Sequence, residues 1–404
     1  MVILFLGLSN AWSIYTPHLK VAFPSWSNLA CSAGYSILMS MWSVGNIAAG
    51  TLARKMSNRI LLLSSSIIMA LGFFCTGLLL DPRQPDRSLI CLYVFFCTIS
   101  GFCTGVGYSV LLGSVMNRFH DKQGFASGLL LMFYGFGSLI LGSLINLMND
   151  RFGLVHTFFL TGVILLAAQL CALPIVPHTC AAERTHREEQ DGDEENCTPA
   201  QVLRSPSYWL YMVWLIAKTS ACTMVSSNAA SIAAFYGAPL VMGLIFSLTN
   251  GAGRLLFGSA VDLIGLRKTI CLNNIVMFLC GALMVTGGLA KTLLQAPVLA
   301  VVLIVAGIFV SGLGFGSSPS ISVVYARKKW GGKYFSANYG LVTLSLFVSA
   351  TTGPMLSGAM QDLASENEPY LMTFVVMLGI CILSCIFGAI ILHRERKLDQ
   401  KRRT

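Results

Sequence analysis

The sequence predicts an all-α polytopic membrane protein: twelve transmembrane helices arranged as two pseudo-symmetric six-helix bundles. Three observations predict it: an apolar composition, apolar runs of membrane-spanning length along nearly the whole chain, and motifs that recur at a constant offset. A chain of 404 residues that is 55% hydrophobic and 11% charged, with mean hydropathy +0.72, has too little polar surface for a soluble domain.

Crossing a hydrocarbon core about 30 Å thick takes roughly 20 apolar residues in a helix. The first half offers Val2–His18, Ala33–Ala53, Ile60–Leu80, Ser88–Val115, Gly124–Leu147 and His156–Val176. The second half offers Ser207–Ile232, Gly237–Gly258, Ile270–Ala290, Pro297–Tyr325, Ala337–Met360 and Tyr370–Leu392. Backbone groups in lipid must be satisfied internally, and the runs show no short alternation, so they read as helices and not as a barrel. The predicted domains are residues 1–177, a linker at 178–206, residues 207–392 and a basic tail at 393–404.

The linker carries seven acids between Glu183 and Glu195. Its charge and low hydrophobicity predict a segment that does not fold alone. Cys180, Cys197, His178 and His186 sit in or near it at spacings that fit no zinc pattern, and no metal site is expected. Most of the 13 cysteines lie in or beside apolar spans, where cysteine acts as a small apolar filler.

Orientation follows from the 27 lysines and arginines. Twenty fall in the even-to-odd loops, the linker and the tail, five in the alternate loops, and two inside spans. That bias places both termini in the cytoplasm of a plasma or bacterial inner membrane. It also accounts for the net charge of +10 as topology, so no nucleic-acid partner is expected. The basic run Arg394 to Arg403 reads as a stop signal after the last span. Met1 opens directly into the first span without a basic flank or a cleavage site, which reads as an anchor or a truncated start and not a removable signal.

The two halves repeat. Gly50-x6-Ser57-x-Arg59 is answered 208 residues later by Gly258-x6-Gly265-x-Arg267. Phe125-Ala-Ser-Gly is answered 210 residues later by Phe335-Ser-Ala-Asn, and the glycines 101, 105 and 107 by 312, 314 and 316. Duplicated helical units of this kind enclose a midplane site and work by alternating access. The 38 glycines permit close helix contacts within such a bundle.

The two bases inside spans, Lys218 and Arg254, are the candidate site. All 17 acids fall outside the predicted spans, so neither base has an acidic partner within them, and the missing counter-charge points to an anionic substrate. Lys218 lies about 16 Å from its helix end at 1.5 Å per residue, too deep to snorkel easily. Arg254 is four residues from Gly258 and could snorkel. Trp12, Tyr15, Tyr108 and Tyr134 are candidate cavity aromatics, and Asn228 and Asn250 candidate polar contacts. Packing or interhelical bonding is the competing role for each.

Gly258-Ser-Ala-Val-Asp262-Leu-Ile-Gly265-Leu-Arg267-Lys268 resembles the G-x-x-x-D-x-x-G-x-R-K gating motif of the major facilitator superfamily. Its first-half counterpart has Arg54 in place of the acid and Ser57 in place of the glycine. Phe119-His-Asp-Lys-Gln-Gly-Phe-Ala-Ser-Gly128, Asn250-Gly-x-Gly-Arg254 and Phe335-Ser-Ala-Asn-Tyr-Gly340 resemble the oxalate/formate antiporter family, relatives of the monocarboxylate transporters, over essentially the whole chain. The resemblance implies that Arg254 binds a carboxylate and that an aromatic at Tyr108 faces the site. Oxalate-transporting members carry a second base after the Asn-Tyr-Gly motif, whereas here the chain reads Leu341-Val-Thr-Leu-Ser-Leu-Phe. Lys218 stands on a neighbouring span as its replacement.

The expected function is secondary transport of a monocarboxylate or short dicarboxylate, as antiporter or proton-coupled symporter, by a monomer in the bilayer with no cofactor. No carboxylate or histidine relay lies within the predicted spans. HExxH, GxSxG and phosphate-loop motifs are lacking, so no enzyme is expected. A transport-inactive sensor or scaffold is the alternative. A multidrug or organic-cation exporter is another, disfavoured because a cation pocket calls for an embedded acid.

Overall fold

A computed structural model describes residues 2–7, 12–26, 28–53, 55–116, 118–119, 122–174, 176, 196–239, 242, 244–364 and 368–403. Arg54, His178, Cys180, His186 and the acids from Glu183 to Glu195 lie outside the described residues. Among those described, the regular structure is helical: α1 Val2–Leu6, α2 Trp12–Ala22, α3 Asn28–Leu52, α4 Asn58–Leu79, α5 Pro85–Met116 and α6 Gln123–Ala172. Then come α7 Pro199–Arg204, α8 Pro206–Ser226, α9 Ala229–Phe235, α10 Leu244–Ile264, α11 Leu266–Thr292, α12 Pro297–Trp330, α13 Phe335–Leu363 and α14 Leu371–Arg403.

Among the described residues these helices account for eleven of the twelve predicted spans; the first, Val2–His18, is described only as α1 and α2, and residues 8–11 between them lie outside the described residues. Among the described residues seven, namely α4, α5, α6, α11, α12, α13 and α14, are both long and apolar enough to cross a bilayer. The long α6 holds two spans, because Gly153 (φ 78°, ψ 169°) breaks the helix between them in a conformation that only glycine adopts without strain. With 25, 21 and 21 residues, α3, α8 and α10 are also long enough at 1.5 Å per residue. They are less apolar because they carry polar groups such as Ser43 and Asn46, Lys218 and Thr219, and Asn250 and Arg254. Large side chains such as Leu71, Leu78, Leu256, Ile275, Val298, Val302 and Ile386 are exposed, as helices facing lipid require.

The helices outrun the predicted spans. α10 continues six residues past Gly258 to Ile264 and α13 reaches Leu363, so Asp262 and Asp362 lie in helical ends and Asp150 lies within α6. These acids lie inside helices yet outside the predicted spans, as does Asp86 in α5. Hydropathy registers where lipid ends, and a helix continues past that point wherever its residues favour it. For the same reason α14 runs through the basic tail to Arg403. The described end of the linker is not free chain either. The Cys197 N–H donates to the Trp330 carbonyl at 3.0 Å, and Lys333 N–H to Asn196 Oδ1 at 3.1 Å.

Within α5 the stretch Leu92–Ser100 is wound as a π-helix. Thr98 Oγ1 and Ser100 Oγ each donate to the carbonyl five residues earlier, Tyr93 at 2.9 Å and Phe95 at 3.3 Å.

The chain divides into two compact units. One comprises Met1–His120, Phe133–Pro199 and Ala326–Phe347, the other Asp121–Met132, Ala200–Tyr325 and Val348–Thr404. The start of α6 thus belongs with α10, and the start of α13 with α3. The first unit is centred on packed rings, with Phe96 stacked on Trp12 and meeting Tyr15, Phe73 and Phe158 edge to face. The second packs Met224, Ile232, Met277, Met284, Ile304, Phe374 and Cys381 into an apolar core. Cys97, Cys103, Cys222, Cys280 and Cys381 are free and buried.

Candidate functional site

Lys218 sits on α8 and is fully enclosed, at 0% exposure. Its Nζ donates to Asn273 Oδ1 on α11 at 2.7 Å and to Ser317 Oγ on α12 at 2.9 Å. Asn273 Nδ2 donates in turn to Ser317 Oγ at 2.6 Å, and Ser317 Oγ donates to the Gly314 carbonyl at 2.6 Å. The ammonium also lies 4.7 Å from the centroid of the Trp214 ring, whose face attracts a cation. Three helices thus meet at one base through neutral oxygens and a π face. The sequence offers no acid to Lys218 within the spans, and none of these partners is an acid.

Arg254 does not snorkel. It is 7% exposed, with Nη1 donating to the Leu131 carbonyl on α6 at 2.9 Å and Nε to Asn250 Oδ1 at 3.3 Å. Asn250 is one turn earlier on the same helix face, so the Asn-Gly-x-Gly-Arg spacing places a carboxamide where it orients the guanidinium. Ser320 Oγ on α12 donates to the Arg254 carbonyl at 2.7 Å. Positions 312, 316 and 320 of α12 form an i, i+4 row against α10: a Cβ on Gly312 would strike Thr249, and one on Gly316 the Asn250 carbonyl. The adjacent Ser317 points to Lys218, so α12 carries contacts to both bases within one turn.

Gly258 and Asp262 of the expected gating motif also fall on this face of α10. Asp262 accepts from Gly124 N–H at 2.9 Å and Phe125 N–H at 2.7 Å, capping the first turn of α6 with a full negative charge. Gly258 lies between Asp262 and Arg254. A Cβ there would strike the Gly124 carbonyl, and a Cβ on Gly128 would approach the Arg254 carbonyl to 2.6 Å. Gly265 takes φ 84°, starting α11 in a turn that an L side chain would strain. Arg267 Nη2 donates to the Glu395 carbonyl on α14 at 2.9 Å, and Lys268 is exposed.

The first unit gathers a different chemistry. Tyr108 and Tyr134 are buried with rings 5.0 Å apart, edge to face, and Trp42 packs edge-on to Tyr108 at 5.1 Å. The Tyr108 hydroxyl is 3.1 Å from that of Tyr339 at the start of α13. On the same side, Ser43 Oγ donates to the Thr343 carbonyl at 3.3 Å, and a Cβ on Gly340 would meet Ile47 N at 2.7 Å. The α3–α13 crossing is the repeat-related counterpart of the α10–α6 crossing, glycine against backbone in both.

The other candidates have local roles. Trp12 stacks on Phe96 at 5.9 Å; Tyr15 stacks on Phe158 at 5.0 Å and donates its hydroxyl to Thr161 Oγ1 at 3.1 Å. Asn228, at the turn between α8 and α9, donates to Ser227 Oγ at 3.0 Å and Ser357 Oγ at 3.2 Å. Sequence reasoning missed Trp42, Trp214, Asn273, Ser317 and Tyr339. Tyr339 lies inside a motif already singled out, whereas Asn273 and Ser317 announce themselves only as polar residues in apolar runs.

The chain has clear relatives among known proteins. The Major Facilitator Superfamily model matches residues 1–338 and again 223–404. An uncharacterized MFS-type transporter, YhjX of Escherichia coli (strain K12), is 24% identical over 351 residues, 85% of this chain and 82% of that protein. An uncharacterized 38 kDa protein in the 23S RNA operon of Thermoproteus tenax is 24% identical over 362 residues, covering 89% and 86%. Among solved structures, the transporter FucP in its outward conformation superposes with a TM-score of 0.66 at 13% identity, covering 96% of each chain. The proton:xylose symporter XylE bound to 6-bromo-6-deoxy-D-glucose gives 0.66 at 15% identity over 96% of this chain and 92% of its own. Helices of membrane-spanning length, a duplicated sequence unit and a family match along the whole chain lead to one conclusion: this chain belongs to the Major Facilitator Superfamily, as a multi-pass membrane transporter.

Proposed function

We propose that the chain carries small organic anions, a monocarboxylate or a short dicarboxylate, by alternating access, in the manner of the oxalate/formate antiporters that its motifs resemble. The observation that supports this best is the pair of buried bases on α8 and α10, held in their named contacts by neutral acceptors. A guanidinium and an ammonium kept from water in the same unit make a positive site, and charge of one sign inside a membrane protein marks the path of the other. Arg254 is the carboxylate ligand: its planar fork matches two carboxylate oxygens, and Asn250 holds it in orientation. Lys218 contributes positive potential from within the bundle and ties three helices together. Tyr108 and Tyr134 are the aromatic candidates of the first unit, with ring surface and hydroxyls of their own. The residues Gly258, Asp262, Gly265, Arg267 and Lys268 form the gate.

On this reading the basic ends of the helices, the linker and both termini lie in the cytoplasm. The two six-helix repeats move about the linker in a plasma or bacterial inner membrane, and the transporter acts as a monomer. Exchange and proton symport are both compatible with a site of this kind.

The test is uptake of labelled formate, lactate, pyruvate, oxalate and succinate into proteoliposomes, with the unmodified chain beside Arg254→Ala and Lys218→Ala. Saturable uptake of a carboxylate, abolished by Arg254→Ala, is the expected result. Folded, inserted protein that moves none of the five under any preloading or pH gradient would overturn the reading in favour of a sensor or a different cargo.

A further inference from the structure

We infer that Arg254 is a two-state ligand: its guanidinium fastens α10 to the start of α6 when no anion is bound, and an anion releases that fastening by taking the same N–H groups. The inference rests on the carboxylate reading above and adds to it a link between binding and movement.

The geometry is a single stripe. On α10 the residues Arg254, Gly258 and Asp262 are spaced i, i+4, i+8 on one face, and on α6 the residues Gly124, Gly128 and Leu131 form the facing row. Asp262 holds the Gly124 and Phe125 N–H groups at one end. Arg254 Nη1 holds the Leu131 carbonyl at the other, at 2.9 Å. Between them, glycine meets backbone with no side chain interposed: Gly258 lies against Gly124, and Gly128 against Arg254 and Leu255. Where glycine meets backbone no side chains interlock to resist separation, and the two polar fasteners flank that stretch. One fastener, Asp262, is exposed and its charge is complemented by the helix start. The other, Arg254, is the base assigned to the substrate.

A carbonyl within a helix is a weak rival for a guanidinium, because it is neutral and already serves its own helix, whereas a carboxylate offers two charged oxygens. An anion that takes Nη1 competes directly with the Leu131 carbonyl for that group. A ligand that prefers the unfastened state shifts the population toward it by its differential affinity. Empty carrier stays closed here, and loaded carrier is freed to open.

The experiment is hydrogen–deuterium exchange on the full chain in lipid nanodiscs, following amides 124–131 of α6, with binding measured in parallel by calorimetry using formate, lactate, oxalate and succinate. Arg254→Met, which lacks any donor, is compared with the unmodified chain without anion. Arg254→Lys, which keeps the charge, serves if the methionine variant fails to fold. The expected result is exchange at least about fivefold faster at 124–131 in Arg254→Met without anion, and a similar acceleration in the unmodified chain on saturation with whichever anion binds. Arg254→Lys should fall between the two. An anion that binds while these amides stay protected overturns the latch and leaves the carboxylate reading standing. If no anion binds, the competition and the carboxylate reading fall together, even where Arg254→Met exchanges faster.

Discussion

The hydroxyls of Tyr108 and Tyr339 meet at 3.1 Å, although 231 residues separate them in the chain. They join the middle of α5 to the first turn of α13 and close the ring cluster that Trp42 and Tyr134 build around Tyr108. Tyr108→Phe or Tyr339→Phe removes one hydroxyl and leaves the other facing a ring edge. Each is expected to lower unfolding stability by about 0.5–1.5 kcal/mol, read as the midpoint of thermal unfolding in detergent. The double variant should lose less than the sum of the two, because both delete the same bond. Strict additivity would mean that the two hydroxyls are not coupled.

Lys218 offers a separate test of structure against function. Lys218→Met keeps the length of the side chain but strips Asn273 Oδ1 and Ser317 Oγ of a donor. Ser317 Oγ keeps the Asn273 Nδ2 donor, and leaving the buried Asn273 Oδ1 unmatched is expected to cost about 1–3 kcal/mol, again measured by thermal unfolding. If the ammonium also attracts the anion, KM for uptake should rise about tenfold, equivalent to 1.4 kcal/mol, with a smaller change in maximal rate. An unchanged KM in a destabilised but active variant would confine Lys218 to holding α8, α11 and α12 together.

The glycines of the α10–α6 crossing can be separated from glycines that face open space. Gly258→Ala and Gly128→Ala each drive a methyl group into the opposing backbone, and overpacking of this kind is expected to destabilise by about 1–3 kcal/mol. Gly358 in α13 and Gly379 in α14 have nothing within 4 Å of a Cβ. Alanine at either should stabilise by roughly 0.5–1 kcal/mol through helix propensity. Opposite shifts of the thermal midpoint at the two kinds of position are the expected pattern.

Asp262 contributes both an acceptor pair and a charge at the start of α6. Asp262→Asn keeps one acceptor oxygen but loses the charge and one of the two hydrogen bonds, at an expected cost of about 0.3–1 kcal/mol from the helix dipole and about 0.5–1.5 kcal/mol from the bond. Asp262→Ala loses both hydrogen bonds as well and should fall further. The order of thermal midpoints is expected to be Asp, then Asn, then Ala, and equal midpoints for all three would mean that the cap does not hold the start of α6 to α10.

The twelve spans were legible because hydropathy reports directly on lipid contact, and the duplication because the Gly-Arg and Gly-rich motifs keep a fixed offset. The ends of helices were not. Asp262 looks like a span boundary in the sequence, yet it sits in the last turn of α10 because its carboxylate serves the start of another helix 138 residues earlier. Arg254 was singled out as a candidate by its motif, but its burial was not legible, since a position four residues from a span end reads as surface. Lys218 was legible as a base in lipid and not as the hub of α8, α11 and α12. An amide and a hydroxyl can hold an ammonium without carrying any charge of their own, so Asn273 and Ser317 leave no trace in a search for counter-ions. Trp12 and Tyr15 look alike to Tyr108 by composition, and only the fold turns them toward Phe96 and Phe158.

The π-wound stretch Leu92–Ser100 has a bearing on every later position of α5. Each extra residue accommodated in a helix turns the remainder of that helix by about 100° about its axis. The direction in which Tyr108 faces is therefore set eight or more residues upstream, in a segment with no part in the ring cluster. Deleting a single residue between 92 and 100 would leave each aromatic in place in the sequence and swing the Tyr108 hydroxyl away from Tyr339. In this carrier the aim of an aromatic side chain is adjusted by how tightly the helix beneath it is coiled, and a change in length there redirects the cluster as surely as a change of residue within it.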